Sequence, residues 1–326
     1  EFLDGGKRPT KVTKKHARNW RTAIRNWPTR PQQRKAFFGL TFHQVLTKNE
    51  ELHIAPISVV TQAKYVSDVS ALFDWMVDEG YVDQNVFKGL APKVNRDEQK
   101  VFPLTETQLV SFFESPLFVG CDDTSKKKVT VFGDTQVRDW RFWIAIISAF
   151  TGARQGELAQ LELADVQVSD EITFLNITNH GKDPLKSVKN SFSRRRLPIH
   201  SKILELGFLE YVDVQRKNRH TSLFPEIIRD TKGSFSSVSK FYQNHYKHLG
   251  FKDDPDRRVD FHSLRHSFTD QLRENFTNSQ FKPLMGHSGK STTAMYRELE
   301  ELSLTIRKNM IETVTYDFVD RNRIMP

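Results

Sequence analysis

Apolar side chains recur every three or four positions over much of this chain, and where that rhythm changes the expected element changes with it. Behind Ser58, a capping residue type, Val66, Val69, Leu72, Phe73 and Met76 fall on one stripe, and Gly80 closes the run. The pattern predicts paired amphipathic helices over 58–90. Residues 93–103 are polar, charged and flanked by Pro92 and Pro103, which predicts a linker. Leu104-Thr-Glu-Thr-Gln-Leu109 then opens a new helix by its capping residues. Phe142 to Phe150 is the longest clear apolar run, far short of the ~20 residues of a membrane span. Ile172–Thr178 and Arg195–His200 switch to strand-like patterns on either side of a polar loop. Residues 121–139 show no period and are expected to form an exposed insertion. The remainder is helical in pattern. The fold class that follows is mainly α with a small antiparallel β-sheet.

Composition changes this picture in two places. A length of 326 residues suggests two domains with ample core, and a single cysteine, Cys121, excludes an internal disulfide and a cysteine-built metal cage. With no signal-peptide pattern at the start, a cytoplasmic protein is the expectation. The net charge of +9 sits in the first 35 residues, which hold eleven Lys and Arg against Glu1 and Asp4. The rest of the chain is balanced, so any polyanion must be held by local patches together with this segment. Trp20, Ile24 and Trp27 interleave with the cations at helical spacing, so part of the segment is expected to dock.

The candidate chemistry lies further on. His262-Ser-Leu-Arg265-His266 is followed by Gly286-His287 and then Tyr296, and Thr151-Gly-Ala-Arg154-Gln-Gly-Glu157 supplies a second arginine after the apolar run. Guanidiniums are permanently charged bidentate donors, suited to the extra negative charge on a phosphate in its transition state. A phenol can attack phosphorus and hold the cut strand covalently. His262 and His266, four apart, raise a zinc site, but the glutamate of H-E-x-x-H is missing and Arg265 between them would repel a cation.

The segments TGARQGELAQLELADV (151–166), SVKNSFSRRRLPIH (187–200), FHSLRHSF (261–268) and LMGHSGKSTTAMYRE (284–298) occur in the order found in tyrosine recombinases of the phage-integrase type. The chain resembles that family over roughly nine-tenths of its length, and Tyr296 follows His287 at the usual spacing of nine residues. The resemblance implies a two-domain C-shaped clamp on DNA. Its parts would be a basic segment (1–35), a helical core-binding domain (36–92), the linker (93–103) and a mixed α/β catalytic domain (104–326) with a tail from about 300. It implies a catalytic set of Arg154, Lys189, His262, Arg265, His287 and the nucleophile Tyr296, with Glu157 orienting Arg154. His266 would be structural. Lys189 is chosen over Lys182 and Lys186 because Ser193, Arg194 and Pro198 follow it at the family's spacing, although Asn190 stands where threonine is usual. A lysine on a mobile hairpin would protonate the leaving 5′ oxygen. Tyr211, Tyr242, Tyr246 and Tyr316 lack the spacing of Tyr296.

What the resemblance implies functionally is site-specific recombination of double-stranded DNA through a 3′-phosphotyrosine. Neither metal nor cofactor would be required, and a mobile-element integrase is favoured. Four protomers would assemble on DNA. The apolar stripe Leu302, Ile306, Met310, Ile311 and Val314 would pack on a neighbour or on its own domain. Accessory DNA-bending proteins are possible partners and a membrane is not. A type IB topoisomerase and a DNA-binding protein with a vestigial site remain as alternatives.

Overall fold

The computed structural model describes residues 8–95, 100–125, 127–254, 256–286 and 303–320. The chain divides into two compact units, Glu1–Gln99 and Lys100–Pro326.

The first unit is built on three helices, α1 (Lys14–Ile24), α2 (Phe42–Leu52) and α3 (Val59–Asp78). In α1, Ala17 and Ile24 face inward seven residues apart, and Trp20 meets Phe87 edge-on at 5.7 Å. They pack with Val66 and Phe73 of α3 and with Val86, Phe87 and Leu90 beyond it. Lys14, Lys15 and Arg18 of α1, and Arg25 at its C-cap, are exposed. Trp27 stacks on Phe42 at 4.6 Å. Ser58 caps α3 by accepting from Thr61 N–H at 3.3 Å. Two expectations fail here. Residues 58–90 form one 20-residue helix followed by turns rather than a helix pair, because the chain reverses at Gly80 (φ +74) and its next stretch is short. Leu72 is 49% exposed, whereas Val66 and Phe73 are buried.

The second unit has α4 (Glu106–Phe113), α5 (Pro116–Val119), α6 (Trp140–Thr151), α7 (Gln155–Ala159), β1 (Val166–Ser169), β2 (Ile172–Ile177), β3 (Arg195–Pro198), α8 (Ser201–Glu205), α9 (Phe208–Lys217), α10 (Ser236–His248), α11 (His262–Asn275), α12 (Asn278–Met285) and α13 (Leu304–Glu312). Thr105 and Gln108 form the capping box that starts α4. Every residue of α6 from Phe142 to Thr151 is buried, as befits a helix apolar on all sides, and α11 packs along it. The sheet is antiparallel in the order β1-β2-β3, with Val166 opposite Leu175 and Leu175 opposite Leu197. The chain is thus mainly α-helical with one small antiparallel sheet.

Strand β1 was not anticipated. It is joined to β2 by Asp170-Glu171, both at positive φ (50° and 61°), a two-residue hairpin made without the usual Asn-Gly signal. The expected exposed insertion is also anchored: Cys121, Val129 and Val137 are buried, and Cys121 bridges to Thr135. Val131 and Phe132 alone are strongly exposed apolar side chains there. The C-terminal stripe packs on its own unit instead of standing free for a neighbour. Met310, Ile311 and Val314 are buried in the main core, Tyr316 meets Phe150 edge-on at 5.1 Å, and α13 lies on β3. Ile306 remains 43% exposed, and Leu302 lies outside the described residues.

Candidate active site

Helix α6 stops at Gly152, which takes φ +65 in the left-handed region. A Cβ there would also lie 2.5 Å from the Phe268 ring, so the turn admits only glycine. That close approach of α6 and α11 brings Arg154, at the start of α7, near Arg265 on α11.

Arg154 is partly exposed and held from three directions. Its backbone N–H donates to Glu157 Oε2 at 3.1 Å, Nη1 donates to Glu157 Oε1 at 2.6 Å, and Nη2 donates to the Gly286 carbonyl at 3.3 Å. Arg265 is buried, and its Nη1 and Nη2 donate to the carbonyls of Gly152 and Met285. Both guanidiniums therefore bind the C-terminal end of α12, immediately before His287. His287 and Tyr296 themselves lie outside the described residues.

Arg195 is a site neighbour that the sequence reading left without a role. It is buried on β3, and its Nη2 donates to Glu157 Oε2 at 2.8 Å, Nε to the Leu284 carbonyl at 2.8 Å and Nη1 to the Ser193 carbonyl at 2.8 Å. Gly286 (φ +60) passes so close that a Cβ would lie 2.9 Å from Arg195 Nη1. The strand's period of two held the signal: Arg195 shares a face with buried Leu197, while Arg196 points out. An arginine on the inward face needs a carboxylate.

The electrostatics follow from this layout. Burial alone would raise the Glu157 carboxyl, but the Arg195 and Arg154 guanidiniums overcome it and hold the group at about 2. Arg265 is pushed down to about 9, first by burial and then by Arg154 and Arg195, yet it stays protonated at neutral pH. Three guanidiniums around one carboxylate leave two positive charges in excess. A bound anion would relieve that excess, and an oxyanion with several acceptors suits forked donors.

His262 opens α11, with its N–H donating to Asp260 Oδ1 at 2.8 Å and its ring edge-on to His266 at 5.0 Å. The residue reaches solvent, but crowding of its ring by protein, then the charge of Arg265, lower it to about 4. The imidazole is therefore neutral at pH 7. His266, half-buried, is lowered for the same reasons.

Lys189 is exposed and lines a cavity of about 540 Å³ together with Arg154, Glu157 and Gln160. Its competitor Lys186 is buried in an ion pair with Asp165 at 2.6 Å. The hairpin expected to be mobile is tethered along its length. Glu162 Oε1 accepts from the N–H groups of Lys182 and Asp183, Arg229 pairs with Asp183, and Asn190 Oδ1 accepts from Ser193 N–H. Among the described residues, no group of three or more His, Cys, Asp or Glu is placed to hold a metal ion. Nor, among them, is any helix long and apolar enough to cross a membrane.

A family model described as the phage integrase family matches residues 138–302, a span that includes Arg154, Lys189, His262, Arg265, His287 and Tyr296. Among curated proteins, the chain is 22% identical over 257 residues to the defective protein IntQ of Escherichia coli (strain K12), covering 73% of this chain and 57% of that protein. The chain thus spans just over half the length of this relative. Among solved structures, a lambda integrase (75–356) dimer bound to a COC′ core site is similar with a TM-score of 0.49 and 13% identity, over 91% of this chain and 83% of that one. The Tn1549 transposon integrase (residues 82–397) in complex with circular intermediate DNA gives 0.48 and 15%, over 93% and 85%. The integrase from mycobacterium phage Brujita gives 0.39 and 16%, over 97% and 99%.

Proposed function

The chain belongs to the phage integrase family, and from that premise we propose that it is a site-specific DNA recombinase, cutting and rejoining strands through a 3′-phosphotyrosine. The observation that carries the reading is the clamp itself: Arg154 and Arg265, 111 positions apart in sequence, both bind the end of α12 that leads into His287 and Tyr296.

In this reading the guanidiniums take the non-bridging oxygens of the scissile phosphate, and His287 donates to the same group. The Tyr296 oxygen attacks phosphorus, and the new O–P bond forms as the bond to the 5′ oxygen breaks. Lys189 gives that oxygen its proton. His262, neutral at pH 7, takes the proton of the phenol, and the phosphate's own negative charge raises its basicity when DNA is bound. The bond energy is kept in the phosphotyrosine, so rejoining is the same path reversed. Neither ATP nor a metal enters a step.

The substrate is double-stranded DNA carrying specific sites, gripped chiefly through phosphates by the second unit and by the cationic face of α1. Four protomers exchange strands in pairs between two duplexes, with accessory DNA-bending proteins as further partners, to integrate or excise a mobile element. Undocking of α13 from its own sheet would be required before the tail could reach a neighbour.

The test is trapping on a nicked duplex in EDTA. A denaturant-stable protein–DNA adduct is expected without metal, and joining of strands from two different duplexes separates recombination from mere relaxation. Cleavage that requires added magnesium and leaves no adduct would contradict the proposal.

A further inference from the structure

Helix α7 carries a functional contact at each end. Arg154 precedes it, and Gln160 follows it as the C-cap. Gln160 is only 8% exposed. Its Oε1 accepts from Ser187 N–H at 3.0 Å, and its Nε2 donates to the Ser187 carbonyl at 2.6 Å. A side-chain amide thus pairs with both backbone groups of one residue, as a neighbouring strand would. Ser187 is two residues before Lys189, and Val188 between them packs against the core.

We propose that Gln160 is a positioning residue for Lys189, acting through this two-way clamp on Ser187. The proposal rests on the reading that Lys189 protonates the leaving oxygen. The five residues of α7 rise about 7.5 Å, a rigid spacer between the arginine that binds the phosphate and the clamp that fixes the lysine's backbone. The other tethers bracket the same point. Lys186 is locked to Asp165 on one side, and Asn190 holds Ser193 on the other. Lys189 thus lies between held neighbours, and it lines the cavity it shares with Arg154 and Gln160. Arg229 stands behind the clamp, with Nη2 3.5 Å from Gln160 Oε1. A misplacement of ~1 Å in such a group is enough to cost about 10²-fold in rate.

Gln160→Met keeps the side chain's volume and removes both hydrogen bonds to Ser187, together with the longer one from Arg229. Cleavage of ordinary DNA is expected to fall about 10- to 100-fold with affinity within about twofold. Replacing the bridging 5′ oxygen by sulfur gives a leaving group that departs without a proton, so cleavage of that substrate should be largely restored. The double variant Gln160→Met/Lys189→Ala should be no slower on ordinary DNA than Lys189→Ala alone. Gln160→Glu, which keeps the acceptor for Ser187 N–H, should lie in between, and it carries the same comparison if the Met variant does not fold. Equal loss on both substrates, or no loss at all, overturns the proposal. Lys189→Ala failing to be rescued by sulfur removes the reading beneath it, whereas rescue of Lys189→Ala without rescue of Gln160→Met overturns the clamp alone.

Discussion

In the first unit the cations are on the outside and the core is small: Lys14, Lys15, Arg18 and Arg25 face solvent, while Ala17, Ile24, Val66 and Phe73 carry the packing. In the second unit two cations lie inside, with Arg195 and Arg265 buried and each donating to named carbonyls or to Glu157. An exposed lysine costs little to hold and interacts weakly across water, so many together give affinity that salt can tune. A buried arginine is costly unless every donor has a purpose, and its fixed direction is what a transition state uses. Under the proposed function the contrast divides gripping from chemistry, and each should then yield to perturbation without the other.

The largest effect is expected at the two arginines that bind the end of α12, half-buried Arg154 and buried Arg265. Arg154→Lys or Arg265→Lys should slow cleavage by ~10²–10³, because a point charge cannot replace a fork, while DNA affinity changes far less. Single-turnover cleavage beside a binding isotherm would show it, and near-normal cleavage would assign either arginine a structural role only.

Next comes Glu157, the carboxylate shared by Arg154 and Arg195. Glu157 is held at about 2 against an ordinary value of 4.5, so its contribution to stability is present above about 4.5 and lost as pH falls toward about 2. That displacement corresponds to roughly 3 kcal/mol. Glu157→Gln should lower the unfolding free energy at pH 7 by a comparable amount, and the gap to the unmodified chain should narrow below pH 4. A gap that is constant across that range would mean that the carboxylate's charge does not hold the arginines.

A smaller effect, and of a different kind, is expected in the first unit. Changing Lys14, Lys15 and Arg18 together to Gln should weaken DNA binding and flatten its dependence on salt, by about 0.9 in the log–log slope for each phosphate that is no longer neutralised. Cleavage of saturated complexes should be unchanged. An altered rate at saturation would join the two functions that the proposal assigns to different units.

The sequence made the contrast partly visible. The helix α3 with buried Val66 and Phe73, though not Leu72, follows from periodicity and capping, as do the box at Thr105, the apolar run of α6 and strands β2 and β3. Strand β1 was illegible because Asp170 and Glu171 adopt positive φ with residues that rarely signal it. The anchors Cys121, Val129 and Val137 were hidden because three isolated apolar residues make no period. At the site, Arg154, Glu157 and Arg265 stand in recognisable segments, and the structure brings them together. Arg195 was overlooked in a run of three arginines, where only the alternation of a strand distinguishes the buried one. Gln160 carries no chemistry of its own, and its value appears only when the hairpin folds against it.

The central claim is that the phenol of Tyr296 is the group that takes the strand, and Tyr296→Phe tests it most directly. On a nicked duplex that traps the cleaved state, the Phe variant should bind DNA with unchanged affinity and form no denaturant-stable adduct. An adduct formed at the normal rate by that variant would place the nucleophile on another residue and contradict the account.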